Sequence, residues 1–263
     1  MLLTILVTTF LMGDTASNGK RLLLIGQGPD GHPSGTHEFM AGVRILTRCL
    51  QRFPGMQVIV VKADEPWKEG PTLLDSADGV LLFVSQGARW MNNEPTRLAA
   101  LKRLGKRGGA YVAVHWGMGT VEAKNIENFV NLFGGCHGGP DRKHKTLEVS
   151  ISIPNPSHPV CRGISTFRIY DEFYYRLKFV RSRGSITPLV QAKIDRKQET
   201  LAWAWERSDG GRSSGFSGLH FHSNWQREEY RRLVVQAVLW SMRLAIPAWG
   251  VNVDLPGEFL RLK

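Results

Sequence analysis

The first residue of chemical interest is a histidine placed directly after an apolar strand. The segment Val112-Ala113-Val114-His115-Trp116-Gly117 predicts a buried strand that passes through a turn of small residues into a helix. Such a turn lifts one side chain above the edge of a sheet, and an imidazole there can transfer protons or bind a metal ion. The alternative is a strand-end histidine that only hydrogen-bonds the turn.

Two further histidines lie close together near the end of the chain. His220 and His222 fall in the run Gly215–Asn224, and because they are two residues apart in a predicted strand, both could point to one side. Imidazoles at this strand end could join His115 in proton transfer or metal binding. The same spacing also fits two structural histidines before the following helix.

Two adjacent acids lie among aromatic residues in the segment Tyr170-Asp171-Glu172-Phe173-Tyr174-Tyr175. Neighbouring side chains of a strand project to opposite faces, so only one of the carboxylates can face a given site. Burial would raise the pKa of that acid, which suits a general acid or base, and aromatic faces also stack on sugar rings. We assign this role to Glu172. The alternative is an amphipathic strand whose aromatic residues belong to the core.

Several other candidates follow predicted strands or helices, where ligands bind in open α/β sheets. These candidates are His32 and His37 after the first strand, Trp90 after the third, Trp116 after His115, and His137 in a glycine-rich turn. Three imidazoles and a carboxylate at one edge would form a site for zinc or a similar divalent metal, although the sequence has no HExxH motif. Cys136 follows a helix and not an elbow, so we do not expect it to be a nucleophile.

Alternating strands and helices must position these side chains. Apolar runs predict strands at 20–25, 58–61, 79–84 and 110–114, separated by helices that begin near Phe39, Pro95 and Thr120. This alternation indicates a parallel sheet of βαβ units. The second half is richer in strands, which are predicted at 146–153, 167–176, 186–194, 200–206 and 215–221. A capping box of Ser223 and Gln226 then precedes the last helix.

Composition indicates one globular domain. The 263 residues are 42% hydrophobic and 22% charged, and the net charge is +11. The basic residues are dispersed, so we expect a solvated basic surface and no nucleic-acid partner, with binding of a polyanion as the alternative. Three isolated cysteines predict neither a disulfide framework nor a zinc–thiolate site.

The N-terminal segment resembles a secretory signal. Residues 2–12 are mostly apolar and small residues follow them, but this run is too short to span a bilayer as a helix. We favour export to the periplasm or the cell exterior over a cytoplasmic location, without stable membrane insertion. A wrongly assigned start or a buried first strand is the alternative.

Taken together, these segments resemble the ThuA-like family, which is named for trehalose utilisation. The matching pieces extend from Lys20 to about Trp240 and include Gly35-Thr36-His37-Glu38, Gly79–Ser85, Gly109–His115, Leu132–His137, Ser157-His158-Pro159-Val160, Asp171–Tyr174 and Gly218-Leu219-His220. His115 stands where a class I glutamine amidotransferase would carry its cysteine, and Asn224 stands where its glutamate would be. Glutamine amidotransferase activity is therefore not expected.

The resemblance implies a fold of the class I glutamine amidotransferase-like type. This is an α/β fold, a flavodoxin-like three-layer sandwich with a mostly parallel central sheet. We expect it at residues 18–246, between a signal peptide at 1–17 and a C-terminal tail at 247–263. The resemblance also implies catabolism of trehalose or related sugars through 3-keto intermediates, beside a partner oxidoreductase.

We therefore expect an enzyme that acts on a small carbohydrate, a sugar or ketosugar, with a divalent metal such as zinc as the candidate cofactor. The expected catalytic groups or metal ligands are His115, His220 and Glu172. The expected substrate-binding residues are His37, Trp90, Trp116, His137, Tyr174 and His222. The alternative is a non-catalytic sugar-binding or complex-forming subunit.

Overall fold

The computed structural model describes residues 19–181 and 186–262. The predicted signal peptide at 1–17 lies outside the described residues. In the part of the chain that is described, no helix combines the length and the apolar character needed to cross a bilayer.

A seven-stranded sheet forms the middle layer of the structure. The strands of the described residues are β1 (Lys20–Gly26), β2 (Met56–Lys62), β3 (Gly79–Phe83), β4 (Ala110–Val114), β5 (Gly119–Thr120), β6 (Gly135–Gly138), β7 (Lys143–Ile151), β8 (Phe167–Tyr175), β9 (Lys178–Phe179), β10 (Thr187–Ile194), β11 (Lys197–Glu206) and β12 (Arg212–Phe216). The order of the strands in the sheet is β10-β11-β12-β4-β3-β1-β2. Strands β12, β4, β3, β1 and β2 are parallel, while β10 and β11 pair antiparallel at one edge. With β12 as the fifth parallel strand, the order 2-1-3-4-5 is that of flavodoxin-like folds, which confirms the predicted fold class.

Helices cover both faces of this sheet. They are α1 (Phe39–Leu50), α2 (Gly70–Asp75), α3 (Gly87–Asn93), α4 (Pro95–Lys106), α5 (Ile126–Phe133), α6 (Glu228–Ser241) and α7 (Gly257–Leu260). Successive residues of β1 alternate between the two cores, because Leu22 and Leu24 pack with α1 and α6 while Leu23 and Ile25 pack on the side of α4 and α5. A strand buried on both faces needs an uninterrupted apolar run, and this explains the sequence of β1.

The first four strands and the helices α1 and α4 confirm the sequence predictions, although their ends differ by a few residues. Two boundaries were predicted wrongly. After β4 the chain forms a short 3-10 helix (His115–Met118) and then β5. Helix α5 begins only at Ile126, so Thr120 does not cap it. Strand β12 ends at Phe216, and α6 begins at Glu228 after a separate 3-10 turn that contains Ser223 and Gln226.

The segment that we assigned to a C-terminal tail packs on the same core. Val251, Val253 and Leu260 are buried. The carbonyl of Val253 accepts a hydrogen bond from the guanidinium of Arg231 on α6 at 3.0 Å. Residues 247–262 are therefore an integral part of the domain surface around α1 and α6.

Two glycines allow the turn after β4 to approach the end of β3 closely. A Cβ atom on Gly117 would lie 2.3 Å from the carbonyl oxygen of Leu82, and one on Gly87 would lie 2.0 Å from the carbonyl oxygen of Gly117. The start of α3, the turn and the end of β3 are thus stacked backbone on backbone. This contact fixes the position of His115, two residues before Gly117.

We predict that Gly117→Ala lowers the free energy of unfolding by about 1–3 kcal/mol, because the added methyl group must displace backbone and not a flexible side chain. Gly257→Ala is the matched control, since no described atom lies within 4 Å of its added Cβ. Denaturant unfolding of both variants measures the difference. Equal stabilities would contradict the close approach at Gly117.

Candidate metal centre

Three histidines meet beyond the carboxyl ends of parallel strands. His37 follows the loop after β1, His115 follows β4 directly, and His220 follows β12. The Nε2 atom of His115 lies 3.1 Å from Nε2 of His37 and 3.2 Å from Nδ1 of His220. One ring nitrogen from each of the three residues lies within 4.8 Å of the others, so these nitrogens could bind one metal ion.

Hydrogen bonds from outside the cluster fix the protonated nitrogen of two of these rings. Nδ1 of His115 lies 2.8 Å from the carbonyl oxygen of Ser217, and Nδ1 of His37 lies 2.9 Å from a carboxylate oxygen of Asp30. Both partners can only accept, so each Nδ1 carries the proton and donates it. In the neutral rings, each Nε2 therefore presents a lone pair towards the centre.

When both rings are neutral, two unprotonated nitrogens only 3.1 Å apart repel each other, and a cation bound by both would remove this repulsion. Tetrahedral zinc bound at 2.0–2.1 Å separates its nitrogen ligands by about 3.3–3.4 Å. The two observed distances are slightly shorter than this. The donor set and its spacing therefore fit a divalent metal.

Burial favours the neutral form of two of these imidazoles, His115 and His220. The pKa of His115 is well below its usual value because the ring is desolvated, and the neighbouring His37 lowers this pKa further. Burial likewise lowers the pKa of His220 to about 4. Neutral imidazole is the form that binds metal, so both rings are ready to bind at neutral pH without first losing a proton.

Asp30 orients the exposed side of the cluster. Its two carboxylate oxygens contact His37 at 2.9 Å and His32 at 2.7 Å, and the His32 ring stacks on His37 with 3.7 Å between centroids. Burial alone would raise the pKa of Asp30, but the hydrogen bonds and charges of His37 and His32 outweigh it and lower this pKa. An ionised carboxylate behind a metal-binding imidazole fixes the ring and strengthens it as a ligand.

Strand β8 brings a carboxylate and a phenol to the same centre. Glu172 and Tyr174 are two residues apart, so they project to one face of the strand. A carboxylate oxygen of Glu172 lies 3.6 Å from Nδ1 of His220 and 3.9 Å from Nε2 of His115, and the hydroxyl of Tyr174 lies 3.0 Å from that Nε2. Burial raises the pKa of Tyr174 well above its usual value, so its hydroxyl keeps its proton.

The neighbouring acid, Asp171, points to the opposite face of β8 and holds the His220 turn. Its buried carboxylate accepts the backbone N–H groups of Leu219 at 2.7 Å, His220 at 3.2 Å and Phe221 at 3.4 Å. These bonds hold Leu219 in a left-handed conformation with a φ angle of 76°. Burial raises the pKa of Asp171 to about 7, against the backbone hydrogen bonds that lower it.

Two of the three histidines have left-handed backbones themselves. The φ angle is 51° at His37 and 48° at His115. Such a conformation costs about 1–3 kcal/mol for a residue other than glycine and persists only where surrounding contacts impose it. At His115 the contacts of Gly117 provide this constraint, so the turn after β4 does present one side chain above the sheet, as an elbow would.

The structure brings most of the predicted site residues together. Five of them form the centre: His37, His115, His220, Glu172 and Tyr174. Two more predicted residues, His137 and Trp116, lie beside the ring of Tyr174. His137 stacks on that ring with 4.0 Å between centroids, and Trp116 lies 5.5 Å from it.

Two predicted substrate-binding residues lie elsewhere. Trp90 is buried between Trp67 and the guanidinium of Arg97. Nε2 of His222 lies 3.1 Å from the carbonyl oxygen of Leu260. The prediction that His220 and His222 point to one side is wrong, because β12 ends before them and His222 already belongs to the 3-10 helix that follows.

Sequence reasoning missed Asp30 and the carbonyl of Ser217. Asp30 lies two residues before His32 in the loop after β1, so an acid in a histidine-containing loop was an available signal. A backbone carbonyl carries no such signal. Cys136 is buried and its burial raises the pKa of its thiol, which agrees with the expectation that it is not a nucleophile.

Comparison with known proteins identifies the family. A family model named ThuA and described as trehalose utilisation matches residues 31–241. This chain belongs to the ThuA family. The matched range contains all five residues of the centre, and Asp30 lies one position before it. A comparison with curated proteins finds no match.

Solved structures related to this ThuA protein share its fold. A protein described as ThuA-like from Bacteroides uniformis is 14% identical with a TM-score of 0.64, over 84% of this chain and 91% of that chain. One from Parabacteroides merdae is 14% identical with a TM-score of 0.63, over 85% and 90%. A cytoplasmic protein from Salmonella typhimurium is 16% identical with a TM-score of 0.51, over 84% and 97%. At these identities the likeness shows the fold alone.

We predict that Asp171→Asn changes how stability depends on pH. Because the folded pKa of about 7 exceeds the usual aspartate pKa of 3.8, the folded protein holds a proton that the unfolded chain releases between these values. Wild-type stability should therefore fall relative to the variant as pH rises from about 4 to about 7, by about 1–4 kcal/mol in total. Urea unfolding of both proteins at pH 5 and 7.5, with a chelator present, measures this. If the stability of the wild type relative to the variant stayed constant or rose between these pH values, the burial of an acid at this position would be contradicted.

Proposed function

We propose that this ThuA protein is a divalent-metal-dependent enzyme that acts on a sugar or ketosugar. The observation that carries the proposal is the pair of Nε2 atoms of His37 and His115, which face each other at 3.1 Å while their Nδ1 atoms donate to Asp30 and Ser217. His220 supplies the third nitrogen. The family description supports a carbohydrate substrate, and the aromatic rings beside the centre suit a sugar.

The centre is partly open to solvent. The side chain of Glu172 is 16% exposed and that of His220 is 11% exposed. A cleft of about 630 Å³ also borders Asp30, His32 and His37. Pockets of this volume commonly hold small ligands.

His37, His115 and His220 would hold the metal. A bound divalent cation supplies Lewis acidity, which polarises a carbonyl or hydroxyl oxygen of the substrate. Neutral imidazole ligands add no charge of their own, so the positive charge of such a site would remain available to an oxygen ligand.

Glu172 is the proton acceptor in this proposal. Its carboxylate lies at the partly exposed edge of the centre, where it can take a proton from a carbon next to a keto group. Return of that proton to the neighbouring atom completes an isomerisation, whereas its transfer to a departing oxygen completes a β-elimination. Tyr174 keeps its phenolic proton and can donate a hydrogen bond to oxygen that gains negative charge.

The keto group must come from an earlier step. Neither Glu172 nor Tyr174 can oxidise a sugar hydroxyl, so a separate oxidoreductase that forms the keto sugar belongs to this proposal.

We predict that the purified protein holds about one divalent ion per chain and that His115→Ala abolishes this binding, because only two of the three histidine ligands, His37 and His220, would remain. His222→Ala is the matched control, since His222 is also a buried histidine but contacts Leu260. Elemental analysis after dialysis against zinc measures both variants. Metal-free wild type, or equal metal in the two variants, would refute the metal centre.

We predict that Glu172→Gln keeps the metal but lowers turnover of a 3-keto-glycoside by about 10²–10⁴-fold, the usual range for loss of a general base. Product formation is followed by chromatography beside the metal analysis. Sugar binding by the wild type without any product over long incubation would favour a non-catalytic binding subunit. Unchanged turnover in the variant would remove Glu172 from the mechanism.

A further inference from the structure

An exposed face of the β7–β8 hairpin leads away from the metal centre. Side chains alternate along β8, and the antiparallel register places residues of β7 directly opposite them. We name this surface the hairpin face. It consists of Arg168, Tyr170, Glu172 and Tyr174 of β8 and of His144, Thr146 and Glu148 of β7.

Exposure rises along this face from the centre to the solvent. Tyr174 is buried, Glu172 is half-buried, and Tyr170 is 57% exposed. Two residues of a strand advance by about 6.8 Å, so Tyr170 lies about one sugar ring further out than Glu172. The hairpin face therefore joins the reacting carboxylate to an exposed aromatic ring.

A second aromatic ring connects Tyr170 with the metal-binding histidines. The rings of Tyr170 and Phe221 are nearly parallel, with 14° between their planes and 5.8 Å between centroids. Phe221 in turn meets the ring of His220 edge-on at 4.7 Å. The amide of Asn224 donates to the carbonyl oxygen of Tyr170 at 3.0 Å, which fixes the strand beneath this pair.

Polar groups surround the exposed ring. Glu148 lies opposite Tyr170 in the register and forms an ion pair with Arg168, and Thr146 lies opposite Glu172. An aromatic face bordered by charged and hydroxyl groups matches a pyranose ring, which presents C–H bonds on its face and hydroxyl groups around its edge.

We propose that Tyr170 and Phe221 form a subsite for the second ring of a glycoside whose first ring reacts at the metal centre. This inference rests on the proposed function and narrows its substrate class to glycosides of at least two sugar rings. The subsite binds only the outer ring of the glycoside. Its loss should therefore leave the affinity for a monosaccharide unchanged.

The experiment compares one-ring and two-ring probes on the full, zinc-loaded chain. Calorimetry measures the affinities of glucose and of the disaccharides trehalose, maltose and cellobiose. We expect at least one disaccharide to bind about three- to tenfold more tightly than glucose, and Tyr170→Ala to remove this advantage without changing the affinity for glucose. Tyr170→Phe keeps the ring and should keep the advantage.

Trp249→Ala is the matched control, because Trp249 is an 81% exposed aromatic whose backbone lies against Gly163. It should leave all affinities unchanged. Disaccharides that bind no better than glucose, or an advantage that survives Tyr170→Ala, would overturn the subsite. Metal content and turnover are measured on the same preparations, so loss of the subsite with metal and turnover intact refutes this inference alone.

Discussion

The opposed lone pairs of His37 and His115 are the constraint on which the rest of the site depends. Each ring could avoid the other by changing tautomer, but Asp30 and the carbonyl of Ser217 accept from the Nδ1 atoms and prevent this change. Protonation of His115 would also relieve the repulsion, but burial disfavours its charged form. With both rings neutral, the protein holds two electron-pair donors 3.1 Å apart, an arrangement whose repulsion a cation removes.

The fold supplies this arrangement through the ends of its parallel strands. Strands β1, β4 and β12 deliver one histidine each, and no single loop contains two of the three. Packing must therefore hold the rings in register, and the close contacts of Gly87 and Gly117 with neighbouring backbone do so at His115. The left-handed backbone at His37 and His115 shows that local preference was overridden at both positions.

The contrast between local strand patterns and long-range packing explains what the sequence could predict. Apolar runs and their alternation predicted β1 to β4, and His115 was identified because it directly follows one of them. Periodicity alone placed His220 and His222 on one side of a strand, because the residue that holds the turn, Asp171, lies 48 residues before Leu219. Trp90 was assigned to the site from its position after β3, but its packing against Trp67 and Arg97 depends on tertiary contacts that no local pattern reveals.

The adjacent acids of β8 show how one local rule leads to two different roles. Alternation places the two acids on opposite faces of β8, as the pattern predicted, and the structure has Asp171 in the core and Glu172 near the histidines. Backbone N–H groups then surround Asp171, so its carboxylate shapes the turn that carries His220. Glu172 keeps its carboxylate near the same histidine from the other side of the strand. A shift of one residue in the β8 register would exchange these environments, so the pairing of β7 with β8 determines both the shape and the chemistry of the centre.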